Sequence, residues 1–189
     1  MYSFKYFTSL LLLCSFLSCD EPAQTQAESE SQPSEAGQHY GDQSARDLQQ
    51  LLQSYYRVKD ALVASDSLRT KEAASTLAAA MDSLQFHADT SLQLASLSFP
   101  LIIKEAAINL HKTTALEEQR AVFETISDNL YELIKALKPA GMETYKQYCP
   151  MAFNDKGAYW LSDTSQIQNP YFGKKMLICG EVQEELRYK

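Results

Sequence analysis

The chain has 189 residues, 45% of them hydrophobic and 22% charged, with a formal net charge of -7. Such a composition suits one globular domain with appendages. The absence of a Lys/Arg cluster argues against nucleic acid as a partner, because phosphate binding needs a concentrated basic face, and the acidity serves solubility instead.

The N-terminus reads as a targeting signal. Lys5 supplies positive charge, and Tyr6 to Leu17 is a nearly unbroken apolar run, too short to span a bilayer. The run ends Phe16-Leu17-Ser18-Cys19, which resembles a bacterial lipobox although Phe16 is bulkier than the usual aliphatic residue. We therefore expect a lipoprotein signal peptide over 1–18, with Cys19 acylated as the mature N-terminus and Cys14 discarded; the rival is an ordinary cleaved signal. Each buried acyl CH₂ adds about 0.8 kcal/mol to membrane attachment. This route lipid-anchors the chain in a bacterial membrane, with the domain facing the periplasm or the cell exterior. Residues 19–43 are rich in Gln, Ser, Glu and Ala, contain Pro22, Pro33 and Gly37, and lack Lys and Arg. They read as a disordered tether.

From 44 to 140 the pattern is helical. Ser44 is a plausible N-cap, and Leu48, Leu51, Leu52, Tyr55, Val58, Leu62 and Val63 recur at helical spacing. Asp66 opens a second, alanine-rich segment striped by Leu68, Leu77, Met81 and Leu84. A break is expected near His87, and a third helical region over about Ser91 to Leu110. Pro100 fits the first turn of a fresh start capped by Ser98, with Leu101, Ile102, Glu105 and Ile108 continuing the helix. Thr114 and Glu117 have capping-box spacing. The fourth helix, lined by Phe123, Ile126, Leu130, Leu133, Ile134 and Leu137, stops at Pro139 and Gly141. These elements predict a mainly α fold: an antiparallel four-helix bundle with a small C-terminal β/loop segment packed against it.

That segment, 141–189, belongs to the same domain. Met142 to Tyr148 and Ala158 to Leu161 read as short strands around an Asn154-Asp155-Lys156-Gly157 turn, and Asn169-Pro170 and Gly173 mark a loop. Lys175 to Val182 is expected as a third strand.

The same segment carries the candidate site. Once Cys14 and Cys19 are accounted for, Cys149 and Cys179 are the only cysteines left, in an oxidising compartment. Cys149 and Met151 flank Pro150, and an extended backbone there would point both sulfurs the same way. Met176 and Cys179 repeat the pair in reverse, and join it only if the chain turns near Leu177 and Ile178. Thiolate and thioether ligands select Cu(I) or Ag(I). Trp160, His111 and His87 are secondary candidates around such an ion; a packed Trp and a hydrogen-bonded packing His are the plainer readings. The alternative for the cysteines is a Cys149–Cys179 disulfide, worth roughly 3–4 kcal/mol in the chain-entropy model, with the methionines filling gaps.

Signatures of catalysis are missing: there is no Walker loop, G-x-S-x-G, H-E-x-x-H or C-x-x-C. A Cys-His nucleophile, using Cys149 or Cys179 with His111, is a third reading. Adjacent acids such as Glu117/Glu118 and Glu184/Glu185 read as solvated surface charges. The chain is therefore expected not to be an enzyme and to need no organic cofactor.

YCPMA at 148–152, GAYWLS at 157–162, NPYFG at 169–173 and MLICG at 176–180 resemble a bacterial domain-of-unknown-function family, number 3347, and KDALVASD at 59–66 and EEQRAVFETIS at 117–127 fit its helical part. Its members resemble exported proteins and lipoproteins, some attached to adaptor subunits of copper/silver efflux systems. The resemblance implies heavy-metal handling and a heavy-metal efflux adaptor as partner, with Cys149, Met151, Met176 and Cys179 as motif positions. This chain lacks an adaptor region and would act as a separate tethered protein. The rival function is a non-metal envelope interaction module, stapled by the disulfide and docking through Tyr171, Phe172 or Trp160.

Overall fold

The fold comes from a computed structural model that describes residues 35–84 and 98–189, with side chains over 45–84 and 98–189. The expected signal peptide, Cys19, most of the tether and His87 lie outside the described residues. The elements run α1 (Glu35–Val63), α2 (Ser67–Ser83), α3 (Ser98–Lys112), α4 (Leu116–Leu137), β1 (Glu143–Cys149), a single turn α5 (Ala152–Asp155), β2 (Ala158–Ser162), a 3-10 turn (Gly173–Lys175) and β3 (Glu181–Arg187). The protein is mainly helical, with a small three-stranded antiparallel sheet of order β2-β1-β3 at the C-terminus. No described helix is long and apolar enough to cross a membrane.

The helices pack in sequence order, α1 on α2, α2 on α3 and α3 on α4, and β2 lies on α4. Helix α1 begins at Glu35 rather than at Ser44, so it takes in the end of the stretch expected as tether. Once a helix is nucleated, extending it through Ala- and Gln-containing sequence is cheap. Its predicted stripe, Leu48 to Leu62, is buried. Asp66 caps α2 by accepting the Arg69 N–H at 3.0 Å. Leu68, expected in the α2 stripe, is instead exposed, and Thr70, Ala74, Leu77 and Met81 form the buried face. On α3 the buried side is Ile103, Ala106, Ala107 and Leu110, which leaves Leu101, Ile102 and Ile108 exposed.

The Thr114/Glu117 capping box does not form. Ala115 occupies the N-cap of α4 without a side-chain bond, and Glu117 turns to the Arg120 guanidinium at 2.8 Å. Buried Gln119 secures this end instead: its amide donates to the carbonyls of Ser67 (3.1 Å) and Thr113 (2.9 Å). The other end closes as the sequence predicts. Lys138 turns left-handed and its N–H reaches the Ile134 carbonyl at 2.9 Å, just before Pro139.

The third strand lies later than predicted. Lys175 ends the 3-10 turn, residues 176–179 turn again, and β3 starts only at Glu181. The reason is that β3 is an edge strand with most side chains in solvent, so EVQEELR carries little apolar signal. Its place is fixed by main-chain pairing to β1, with a register shift opposite Lys146/Gln147.

Two adjacent tyrosines on α1 dock the sheet. The Tyr55 hydroxyl accepts the Leu161 N–H (3.0 Å) on the outer edge of β2 and meets Ser127 Oγ at 2.8 Å; Ser127 in turn donates to the Phe123 carbonyl at 2.9 Å. Since Tyr55 accepts from Leu161 and Ser127 donates onward, the consistent direction is Leu161 to Tyr55 to Ser127 to Phe123. Tyr56 donates to Thr144 Oγ1 (2.7 Å), which donates to the Ser162 carbonyl (3.1 Å). The Tyr55 ring also stacks on Phe123 of α4 with centroids 5.1 Å apart. On the sheet's other flank, the Lys146 ammonium sits 3.6 Å from the Tyr131 ring centroid and 4.1 Å from that of Tyr159, tying β1 to α4.

Replacing Tyr55 by Phe leaves the ring but strands the Leu161 N–H and removes the partner of Ser127. We expect Tyr55→Phe to lower unfolding free energy by about 1–3 kcal/mol, measured by urea denaturation, with an unchanged m-value. An unchanged midpoint would show that water replaces the hydroxyl.

Candidate dithiol site

The site forms where β1 ends and β3 begins. Tyr148 pairs with Glu181 across these antiparallel strands, so the next residue, Cys149, arrives beside Gly180 and Cys179. The Cys149 and Cys179 sulfurs are 2.8 Å apart and unbonded; Cys149 is fully buried and Cys179 partly exposed. Burial, reinforced by the contact with Cys149, pushes the Cys179 thiol up to about 11. Cys179 is thus held in its protonated form near neutral pH.

Asn169 sets the position of Cys179. It is fully buried; its Nδ2 donates to the Cys179 carbonyl (2.7 Å), its Oδ1 accepts the N–H groups of Tyr171 (2.8 Å) and Phe172 (3.2 Å), and its own N–H reaches the Leu177 carbonyl (2.8 Å). One amide therefore ties the NPYFG loop to the chain around Cys179. Buried Arg120 holds the same loop from α4, donating through Nε to the Pro170 carbonyl at 3.1 Å and through Nη2 to Ser65 Oγ at 3.2 Å. Sequence spacing marked Asn169 only as a loop residue and passed over Arg120; an Asn before Pro in a loop was the one available signal.

At Met151 the backbone differs from the expectation, and at Leu177 and Ile178 it makes the turn that the sequence reading required for Met176. The chain does turn at Leu177 and Ile178: the Cys179 N–H reaches the Met176 carbonyl at 3.1 Å, which brings Met176 and Cys179 to the two ends of one tight turn. Met151 is not extended. It has φ -87° and ψ -7°, just after β1 ends, and is 47% exposed, so it does not share the buried face of Cys149. Pro150 constrains the residue before it, and the turn begins after it.

Beyond Met151 the backbone is unusual. Phe153, Asn154 and Asp155 all have left-handed φ, from 53° to 64°. Asn and Asp tolerate this region, but Phe does not without support. Here the Phe153 ring packs edge-on to Tyr171 at 5.3 Å, and the Gly157 N–H closes on the Ala152 carbonyl at 2.9 Å. This turn returns the chain from Cys149 to β2, as the Asn154–Gly157 signal predicts.

Trp160 is core. It is 1% exposed, its ring meets Tyr171 edge-on at 6.0 Å, and its Nε1 has no hydrogen-bond partner. Tyr171 is equally buried, and burial holds its hydroxyl well above the ordinary tyrosine range. Trp160 and Tyr171 are therefore not the surface anchors expected for a docking module; their apolar area is spent inside, and Phe172 is partly buried beside them. His111 is exposed at the end of α3, with Nδ1 3.0 Å from the Lys71 carbonyl on α2. Among the described residues no three His, Cys, Asp or Glu side chains converge as a metal group, so His111 does not join the cysteines.

Gly180 is the close-packed joint between Cys179 and β3. Its φ is 144°, and a Cβ there would stand 2.7 Å from the Tyr148 carbonyl oxygen and 2.8 Å from the Trp160 ring. We expect Gly180→Ala to cost about 1–3 kcal/mol and to separate the sulfurs, slowing Cys149–Cys179 disulfide formation under mild oxidant at least tenfold, measured by thiol counting. A stable variant that oxidises at the wild-type rate would show that β3 can shift without moving Cys179.

Comparison with known proteins adds one match. Residues 51–141 fit the model of the family described as Protein of unknown function (DUF3347). No curated protein and no solved structure matches the chain. The match covers α1 from Leu51 through α4 and stops before β1, so it rests on the helices and not on the tail motifs that carried most of the sequence resemblance. Through this helical region the chain is similar to the family of unknown function DUF3347.

Proposed function

We propose that this is an extracytoplasmic lipoprotein, anchored through Cys19, whose four long helices form an antiparallel bundle that mounts a two-sulfur site for a soft ion such as Cu(I) or Ag(I). The protein would buffer that ion or pass it to a heavy-metal efflux adaptor. The observation that supports the reading is the meeting of Cys149 and Cys179, thirty positions apart in sequence, at 2.8 Å. Among the described residues no third carboxylate, imidazole or thiol converges on the two sulfurs, and a two-thiolate set favours a soft, low-coordinate cation over zinc or a hard ion. A bridging cation requires the sulfurs to part. Cys179, partly exposed on the 176–179 turn, is the one placed to move, and Met176 at the start of that turn is the thioether best placed to follow. Met151 remains the outermost candidate ligand. The second reading, a Cys149–Cys179 disulfide stapling an interaction module, rests on the same short separation.

Binding releases thiol protons, so it weakens in acid. With the Cys179 thiol at about 11, lowering pH through the neutral range should cost about tenfold in affinity per unit from that proton alone. The test is a Cu(I) titration of the reduced mature chain, under nitrogen, against a chromophoric chelator. We expect one ion per chain, with Cys149→Ser and Cys179→Ser each losing about a hundredfold or more in affinity and Met176→Leu about tenfold. No copper uptake by fully reduced protein would remove the metal reading and leave the disulfide.

A further inference from the structure

The two cysteines are chemically unequal. Cys149 is 0% exposed at the end of β1, whereas Cys179 is partly exposed on a turn whose neighbours, Leu177 (39%) and Ile178 (81%), face solvent. Met151 (47%) and Val182 (41%), the latter paired across from Gln147 on β1, add exposed apolar surface near the same strand ends. These side chains expose apolar area close in sequence to the thiol pair. They suit an apolar peptide segment of a partner.

We propose that the pair is a thiol–disulfide exchange centre for a disulfide-bonded protein partner, in which Cys179 exchanges first and Cys149 resolves. This inference rests on reading the pair as a working dithiol. Its readout needs no metal, so its failure is distinguishable from failure of Cu(I) binding. In the first step the Cys179 thiolate attacks one sulfur of the partner disulfide. A Cys179–partner bond forms, the partner's own S–S bond breaks, and the second partner sulfur leaves as a thiolate that takes up a proton. In the second step Cys149 loses its proton and attacks Cys179 Sγ. The Cys149–Cys179 bond forms, the mixed disulfide breaks, and the first partner sulfur leaves as a thiolate that takes up the proton Cys149 released. Two electrons pass from the dithiol to the partner disulfide, which ends as two thiols. The reverse steps restore the dithiol.

The order follows from access and from spacing. An incoming disulfide reaches Cys179 and not Cys149, and at 2.8 Å the resolving sulfur already stands next to its target. Closing the bond consumes both thiolates, so exchange also acts as a gate: the oxidised protein has no dithiol for a soft ion.

The test uses the reduced mature chain with two probes, oxidised glutathione and the disulfide-linked dimer of a short Leu/Phe-rich cysteine peptide. Acid quenching, alkylation and mass spectrometry read the products. The expected result for wild type is an internal disulfide with only a transient adduct. Cys149→Ser, and Cys149→Ala as a second variant in case the polar hydroxyl disturbs the core, should both trap a stable adduct at Cys179. Cys179→Ser should modify Cys149 at least tenfold more slowly. The peptide should react at least tenfold faster than glutathione, and Ile178→Asp should remove that advantage. Equal modification of the two cysteines would overturn the order, and equal rates with the two probes would overturn the protein partner in favour of a small disulfide.

Discussion

The structure depends on hydroxyl groups carried from a helix to the open edge of a sheet. Strand β2 is an edge strand, and an unpaired edge presents N–H and C=O groups that need a cover. Tyr55 accepts the Leu161 N–H and Tyr171 donates to the Tyr159 carbonyl, so two tyrosines occupy the outer side of β2. Tyr56 reaches past the edge to Thr144 on the central strand. A three-stranded sheet of five to seven residues per strand is marginal alone. These bonds, with the Phe123, Tyr171 and Trp160 rings packed behind them, make the sheet part of the helical core.

The same burial keeps the relays in one protonation state. Desolvation pushes the hydroxyls of Tyr55 and Tyr56 well above the ordinary tyrosine range. Each therefore stays neutral at neutral pH, able to donate and accept together. A carboxylate or histidine in their place would change its bonding with pH. The α1 tyrosine bonds to the sheet are thus made by hydroxyls that stay neutral, whereas the part-exposed Glu184 is ionised, held below the usual carboxylate range by Tyr131 and then Lys135.

How far the sequence reveals this arrangement depends on where apolar side chains go. Helices α1 and α4 are legible because one face of each is buried along its length, giving a clear period from Leu48 to Leu62 and from Phe123 to Ile134. Helix α3 misleads because Leu101, Ile102 and Ile108 are apolar and exposed while small Ala106 and Ala107 take the interior. Strand β3 is hidden for the opposite reason: it carries charges and is placed by backbone pairing, and the apolar Met176-Leu177-Ile178 beside it forms a turn. The cysteine pair was legible as a possibility, since nothing local specifies that residue 149 and residue 179 should meet. That depends on the β1–β3 register and on the Asn169 amide, both set by tertiary contacts.

The exposure difference between the sulfurs follows from which side of the site is rigid. Cys149 sits on the central strand, with β2 on one side and the β3 pairing on the other. Gly180 is pressed between the Tyr148 carbonyl and the Trp160 ring, and Trp160 keeps its place although its Nε1 finds no partner. An unpaired buried donor costs about 1–3 kcal/mol, so the surrounding packing must outweigh it. The 176–178 side has no comparable weight over it: Leu177 and Ile178 are in solvent, and the turn is tied down by the Leu177 and Cys179 carbonyls that Asn169 binds. Any change in sulfur separation, whether to admit an ion or to form a bond with another chain, is therefore easiest on the Cys179 side. In either proposed role Cys149 would be the fixed partner, because the central strand holds it in place before any ligand arrives.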